Sequence, residues 1–247
     1  MITISIVSHG HCEMILPLLE QLNGLDSAIA EVIVTNNIPS DVDILSDLYS
    51  FEVMVINNAH PKGFGANHNQ AFSLSRTALF CVLNPDVEFF ENPFKKLLQY
   101  LSGDSSIGVI APAIVDATGN SEDSIRLFPT PISILKKALL HDPGTFPIVG
   151  DERLVYPDWV AGMFMVFRSD AYRTLGGFDE GYFMYYEDID MCVRSWKEGY
   201  SVVAVLDVRV VHKAQRASHK NLGLFQVHLR SMALFFWRHA FRLPKRA

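Results

Sequence analysis

Carboxylates set among aromatic residues form the stretch of this sequence best suited to chemistry. Within residues 176–190, Asp179, Glu180, Glu187, Asp188 and Asp190 stand around Tyr182, Phe183, Tyr185 and Tyr186. An acid at a helix start can cap it, and an acid in the first turn suits the helix dipole. Asp190 is absorbed in that way. Capping does not account for Glu187-Asp188 directly behind the aromatic residues. Apolar surroundings disfavour the charged carboxylate, raise its pKa and suit it to proton transfer.

Other groups suggest a partner for that acid pair. Asn84-Pro85-Asp86 closes the apolar run Leu79–Leu83. A carboxylate there can reach a divalent cation held by a diphosphate, because hard cations combine one or two carboxylates with phosphate oxygens. The same residue types also favour ordinary turns. Lys62-Gly63-Phe64-Gly65-Ala66-Asn67 precedes a helical stretch. Its glycines allow close backbone approach to a ligand, and a helix N-terminus favours anions. It matches neither the dinucleotide fingerprint nor a P-loop, so a plain glycine turn accounts for it equally well. His212 ends an apolar run. A structural histidine is the commoner case there, but a metal at Asp86 gives the ligand reading weight. Cys12, Cys81 and Cys192 lie far apart and form no CxxC pair, which excludes a disulfide framework or zinc site.

Strands and helices must position these groups. Strands are expected at Ile2–Ser8, 31–34, 51–56 and Leu79–Leu83. Between them lie a helix with Met14, Leu18, Leu19 and Leu22 on one face, a second opening at Pro39-Ser40-Asp41, and a third over 67–75. This alternation predicts a mostly parallel α/β sheet with helices on both faces. Polar residues collect at the strands' C-terminal ends, where open α/β sheets bind ligands. Further on, helices are expected at 93–101, 170–175, 188–198 and 221–241, and strands at 108–114, 159–167, 201–206 and 208–211. Residues 116–157, rich in proline, read as irregular, and as functional or mobile.

The composition suits one large domain with an appendage. Hydrophobic residues make up 49% and charged residues 19% of 247, enough apolar material for a substantial core. The start alternates like a strand and lacks the features of a secretory signal. No apolar run is long enough to span a bilayer. A reducing, cytoplasmic setting is expected. The net charge of -6 is uneven: residues 1–207 hold all 27 acids, while the last 40 hold 9 Lys and Arg and no acid. An acidic body argues against nucleic acid as partner.

Taken in order, Val7-Ser8-His9-Gly10-His11, Gly63-Phe64-Gly65-Ala66-Asn67, Leu83-Asn84-Pro85-Asp86, Asp158-Trp159-Val160-Ala161-Gly162 and Gly177-Phe178-Asp179-Glu180 through Glu187-Asp188-Ile189-Asp190 to Arg194, followed by His212, resemble a family-2 glycosyltransferase of the GT-A fold. The likeness is closest to bacterial rhamnosyltransferases of the WbbL type and covers about residues 2–218. It implies an inverting enzyme of cell-surface polysaccharide synthesis. That enzyme moves rhamnose from dTDP-rhamnose to a glycan or polyprenyl-linked acceptor, with Mg²⁺ or Mn²⁺ as cofactor. By the same resemblance Asp188 is the general base and Glu187 the second candidate. Asp86 and His212 hold the metal. Ser8, Asn36, Lys62, Gly63, Gly65, Asn67, Asn84 and Asp86 belong to the donor side, and Trp159, Gly162, Asp179 and Glu180 to the acceptor side. The sequence departs from the family in two places. Asn84 replaces the first acid of the metal motif, and Thr35-Asn36-Asn37 replaces the acid that usually meets the base, although Asn can still donate and accept.

Two other classes compete with this reading. A nucleotidyltransferase needs basic residues near the first strand, and Ser8-His9-Gly10-His11 has no Lys or Arg. A nucleotide-sugar-binding protein with weak or lost catalysis fits the two Asn replacements. The domain is expected over 1–218, with 219–247 as a C-terminal helical appendage. There Lys220, Arg230, Arg238, Arg242, Lys245 and Arg246 interleave with Leu222, Phe225, Leu229, Met232, Phe235, Phe236 and Trp237. Such a basic amphipathic helix either contacts the inner face of the membrane as a peripheral element or packs on protein.

Overall fold

The computed structural model describes residues 1–25, 28–40, 44–140, 144–148, 150, 152–213, 222–239 and 242–244. The chain begins β1 (Ile2–Ser8), α1 (Cys12–Asn23), β2 (Ile29–Asn36), a short 3-10 turn (Ser46–Leu48), β3 (Glu52–Asn57), α2 (Phe64–Leu74) and β4 (Leu79–Leu83). It continues through β5 (Val87–Phe89), α3 (Pro93–Gly103), β6 (Ile107–Val115), β7 (Ile125–Arg126), α4 (Pro131–Leu140), β8 (Leu154–Val155), β9 (Trp159–Val160) and β10 (Phe164–Arg168). It closes with α5 (Ser169–Thr174), α6 (Glu187–Lys197), β11 (Ser201–His212) and α7 (Leu222–His239).

The main sheet runs β3-β2-β1-β4-β10-β6-β11-β5, with β8 paired to β11. Strands β1, β2, β3, β4, β6 and β11 point one way, and β10, β5 and β8 run against them. The mostly parallel α/β sheet is therefore present, with β10 reversed at its centre.

Period-two alternation sorts the strand side chains onto two faces. Cys81 and Leu83 of β4, with Phe164 and Val166 of β10, pack under α1 and α3 against Leu18, Leu22, Phe94 and Leu97. Phe80, Val82, Met165 and Phe167 face the other way, against Ala71 of α2, Tyr172 of α5, Cys192 of α6 and Phe235 of α7. Asn92 caps α3, its side chain accepting from the backbone N–H groups of Phe94 and Lys95, with Pro93 just inside.

Four local expectations change. Among the described residues no helix follows Pro39; only the Ser46–Leu48 turn forms there. The stretch 116–157 contains β7, α4 and β8. Residues 159–167 do not form one strand: β9 pairs with β7 in a separate two-stranded sheet, and β10 joins the main sheet. The runs on either side of Asp207 form one strand, with a register shift between Val205 and Arg209 that absorbs the break.

The boundary at 218/219 lies outside the described residues. So do Lys220, Lys245 and Arg246. The described helix α7 is packed on the body through Phe235, which is fully buried beside Tyr186.

Candidate active site

Register decides which polar residues meet. In β1, β2 and β3, Ser8, Asn36 and Asn57 lie side by side at the C-terminal ends of the strands. Asn36 donates to Asn57 Oδ1 at 2.8 Å, and the buried Ser8 hydroxyl accepts from His11 N–H at 3.2 Å. Asn37, next in the chain, ties this edge to the glycine loop. Its side chain accepts from Lys62 N–H at 2.8 Å and donates to Lys62 O at 2.9 Å. Asn58 then links Asn37 and Asn67, donating at 3.0 and 2.6 Å. Asn67 closes the ring by donating to Gly63 O at 3.0 Å.

The loop glycines have a packing role. A Cβ on Gly63 would come within 2.7 Å of Phe183 O, and one on Gly65 within 2.5 Å of the Phe178 side chain. Phe64 N–H also donates to Phe183 O at 2.8 Å. The glycines therefore let the aromatic segment 178–186 lie directly on α2. Lys62 reaches Gln70 of the same helix.

At the end of β4, the chain turns through Asn84-Pro85-Asp86 into β5. Antiparallel pairing of β5 with β11 sets Val87 opposite His212, which brings Asp86 Oδ2 to 3.3 Å from His212 Nε2. Asp86 Oδ1 is buried and has no hydrogen-bond partner. On its other side, His212 Nδ1 meets Glu122 Oε2 at 2.9 Å. Burial opposes protonation of His212, but the carboxylates of Asp86 and Glu122 outweigh it and hold the imidazole above its ordinary pKa. Glu122 lies in the segment read as irregular, and nothing in its sequence surroundings marks it. Among the described residues, no three His, Cys, Asp or Glu side chains are arranged to hold a metal by themselves. The orphaned Asp86 oxygen and the His212 nitrogen still suit a hard cation that takes its remaining ligands from phosphate.

The acidic turn lies across Gly162 and Met163 from this edge. Asn84 N–H donates to Met163 O at 2.9 Å, and Gly162 N–H donates to Asp188 Oδ2 at 3.1 Å. Asp188 Oδ1 also accepts from Ile189 N–H at 2.8 Å. Burial raises the Asp188 pKa, while these N–H groups and Arg126 restrain the rise. Glu187 is buried, and its Oε2 lacks a partner. Burial first, then the Asp188 charge, push its pKa well up. Asp190, also buried, does not cap the helix. One oxygen meets Arg194 Nε at 2.7 Å and the other His239 Nε2 at 2.9 Å, which ties α6 to α7.

Tyr185 and Tyr186, just before the acids, both have φ of 70°. A left-handed non-glycine residue costs about 1–3 kcal/mol and persists only where its surroundings hold it. Here α7 supplies the hold. The His228 ring lies 5.3 Å from Tyr185 and 5.4 Å from Tyr186, and Ser231 donates to Met184 O at 2.8 Å.

A cavity of about 700 Å³ opens at Asp188. Trp159, Tyr185, Tyr186, Glu187, Arg126 and Lys136 are among its walls. Trp159 is held by donation from Nε1 to Leu127 O at 3.0 Å, with the Arg126 guanidinium 5.5 Å above its ring. Asp179 and Glu180 do not line this cavity. Asp179 pairs with Arg238 of α7, and Glu180 accepts from Asn69 of α2 at 3.0 Å. Both acids are used as ties between elements, and Glu180 borders a separate groove with Lys62 and Gly63.

The profile described as glycosyl transferase family 2 matches residues 3–172, and one described as the N-terminal domain of galactosyltransferase matches 150–220. The chain belongs to glycosyl transferase family 2, and it is an inverting glycosyltransferase. It is 29% identical to rhamnosyltransferase WbbL of Escherichia coli (strain K12), over 91% of this chain and 87% of that protein. It is 32% identical to an N-acetylglucosaminyl-diphospho-decaprenol L-rhamnosyltransferase of Mycobacterium tuberculosis, over 62% of this chain and 53% of the relative. In fold it resembles GalNAc-T7, solved with UDP, GalNAc and Mn²⁺, with a TM-score of 0.69 and 16% identity over 87% of this chain and 43% of that one. It also resembles the mannosyltransferase PcManGT from Pyrobaculum calidifontis, in complex with GDP-Man and Mn²⁺, with a TM-score of 0.67 and 15% identity over all of this chain and 65% of that one.

Proposed function

We propose that this enzyme transfers rhamnose from dTDP-rhamnose to a lipid-linked glycan acceptor at the inner face of the cell membrane, with Asp188 as general base. The observation that carries the catalytic assignment is the unequal treatment of the acid pair. Both acids border the cavity, but Asp188 is held by the Gly162 and Ile189 N–H groups. Glu187 is buried with an unpartnered oxygen. Two adjacent carboxyls in one apolar turn do not both ionise readily, so Glu187 keeps its proton and Asp188 carries the charge.

The acceptor hydroxyl gives its proton to Asp188 as its oxygen forms the bond to the anomeric carbon. The bond from that carbon to the diphosphate oxygen breaks, and the nucleoside diphosphate leaves with the electron pair. Attack from the opposite face inverts the centre through an oxocarbenium-like state. Asp86 and His212 are the residues that would hold a divalent cation, which supplies positive charge against the leaving diphosphate when bound. Ser8, Asn36, Asn67 and Asn84 border the donor side, with Asn37 and Lys62 fixing the loop. Trp159 and Gly162 serve the acceptor side.

Rhamnose and the lipid-linked acceptor are taken from the two bacterial relatives. A thermal-shift panel of nucleotide sugars with Mn²⁺ tests the donor: dTDP-rhamnose is expected to stabilise most. Stronger stabilisation by a UDP- or GDP-sugar would overturn the rhamnose assignment.

A further inference from the structure

Large apolar side chains exposed to solvent gather beside the Asp188 cavity. Ile132, Leu135, Leu139 and Leu140 of α4 are 58–71% exposed, and Phe225, Leu229 and Trp237 of α7 are 41–76% exposed. Single exposed apolar residues are ordinary, but a concentration on neighbouring helices marks an interaction surface. Positions 132, 135 and 139 follow helical spacing and form one stripe. Both helices also wall the cavity, α4 through Ile132, Ser133 and Lys136, and α7 through His228 and Met232.

The inner face of α7 is already occupied by Tyr186 and the Asp190 tie, so its outer face is what remains for a partner. Charge selects the partner. The molecule carries -6 overall, yet neither α4 nor α7 contains an acid, and Lys136 and Arg230 lie on them, while Arg238 is paired with Asp179 of the body. A second copy of the chain would set two acid-free basic patches against each other, a repulsive pairing. An anionic lipid surface accepts both the apolar stripe and the positive charge.

We propose that α4 and the outer face of α7 form one membrane-contact surface that seats on anionic phospholipid and sets the cavity mouth at the bilayer. This rests on the reading of the acceptor as lipid-linked and shifts the membrane contact from the tail alone to a two-helix platform. Lipid-linked acceptor then reaches Asp188 without leaving the bilayer.

The test is flotation of the full chain with phosphatidylcholine vesicles, with and without phosphatidylglycerol. The variants are Leu135→Ser/Leu139→Ser/Leu140→Ser and, on the other helix, Phe225→Ser/Trp237→Ser, each with its melting temperature checked. Wild type is expected to float with phosphatidylglycerol vesicles, and each variant at least tenfold less. The α4 variant is expected to keep its rate on N-acetylglucosaminyl diphosphate bearing a short alkyl chain, and to lose tenfold or more on the decaprenyl form in vesicles. Equal flotation of wild type and both folded variants overturns the proposal. So does conversion of a dimer to a monomer by the α4 variant with flotation unchanged. Flotation needs no transfer, so a wrong sugar or acceptor shows as absent activity beside intact lipid binding.

Discussion

At Glu187 and Asp188, burial works against two charges on adjacent residues, and the hydrogen bonds decide which one survives. Asp188→Asn keeps the shape and one of the two N–H contacts but cannot take a proton. Its turnover is expected to fall about 10²- to 10⁴-fold with donor affinity unchanged, measured by initial rates and by titration with donor. The acidic limb of wild-type turnover should lie above the ordinary aspartate pKa of about 4, because the Asp188 carboxyl is raised and must be ionised to act. Glu187 gives a stability signature. Its folded pKa is above its unfolded one, so stability is full below the unfolded value and is lost as pH rises through the folded value. Glu187→Gln removes this loss, so its melting temperature should gain on wild type as pH rises from 5 toward 8, with most activity kept. Loss of activity in Glu187→Gln alone would reverse the roles of the pair. Glu122 acts through His212, leaving Nε2 to face Asp86. Glu122→Gln is expected to weaken Mn²⁺ binding in the presence of dTDP about 10- to 100-fold by calorimetry.

Elements deliver these residues by close contact. Gly65 is where α2 meets Phe178, so Gly65→Ala is expected to destabilise by about 1–3 kcal/mol in urea titration, through overpacking. Helix α7 fixes the turn that presents Asp188. Ser231 holds Met184 O and His239 holds Asp190. Ser231→Ala/His239→Ala is expected to lower turnover by about tenfold with donor affinity preserved, since each lost hydrogen bond to a buried group costs about 1–3 kcal/mol and frees a strained turn. Much at this scale was legible beforehand. The apolar run 79–83 and the helix after Tyr186 announce themselves by length and period. The break at Gly162 does not, because local apolar pattern continues across it and the contacts that redirect the backbone, from Ser124, Asp188 and Asn84, come from distant segments.

Across the whole molecule, the C-terminal helix is bonded into the site. Deleting residues 222–247 would uncover Tyr186 and leave Asp190 without His239. That truncation is expected to lose soluble, folded protein, read as the fraction recovered and its melting temperature. The basic tail visible in the sequence suited either membrane or protein. The described part of it does one through its inner face and leaves the other to its outer face. Among the described residues, no helix is long and apolar enough to cross a membrane, so lipid contact through α4 and α7 would be at the surface.

Local patterning by itself determined the alternating α/β order, the strand ends that carry Ser8, Asn36 and Asp86, and the isolation of Glu187-Asp188 behind aromatic residues. Those features depend on neighbours in the chain. Only the tertiary structure decided that Glu122 joins His212, that Asn37 pins the glycine loop, and that Asp179 and Glu180 serve as ties. Each of these contacts joins residues far apart in sequence. Which distant strands and helices become neighbours depends on how both faces of the sheet are covered, and no local pattern contains that.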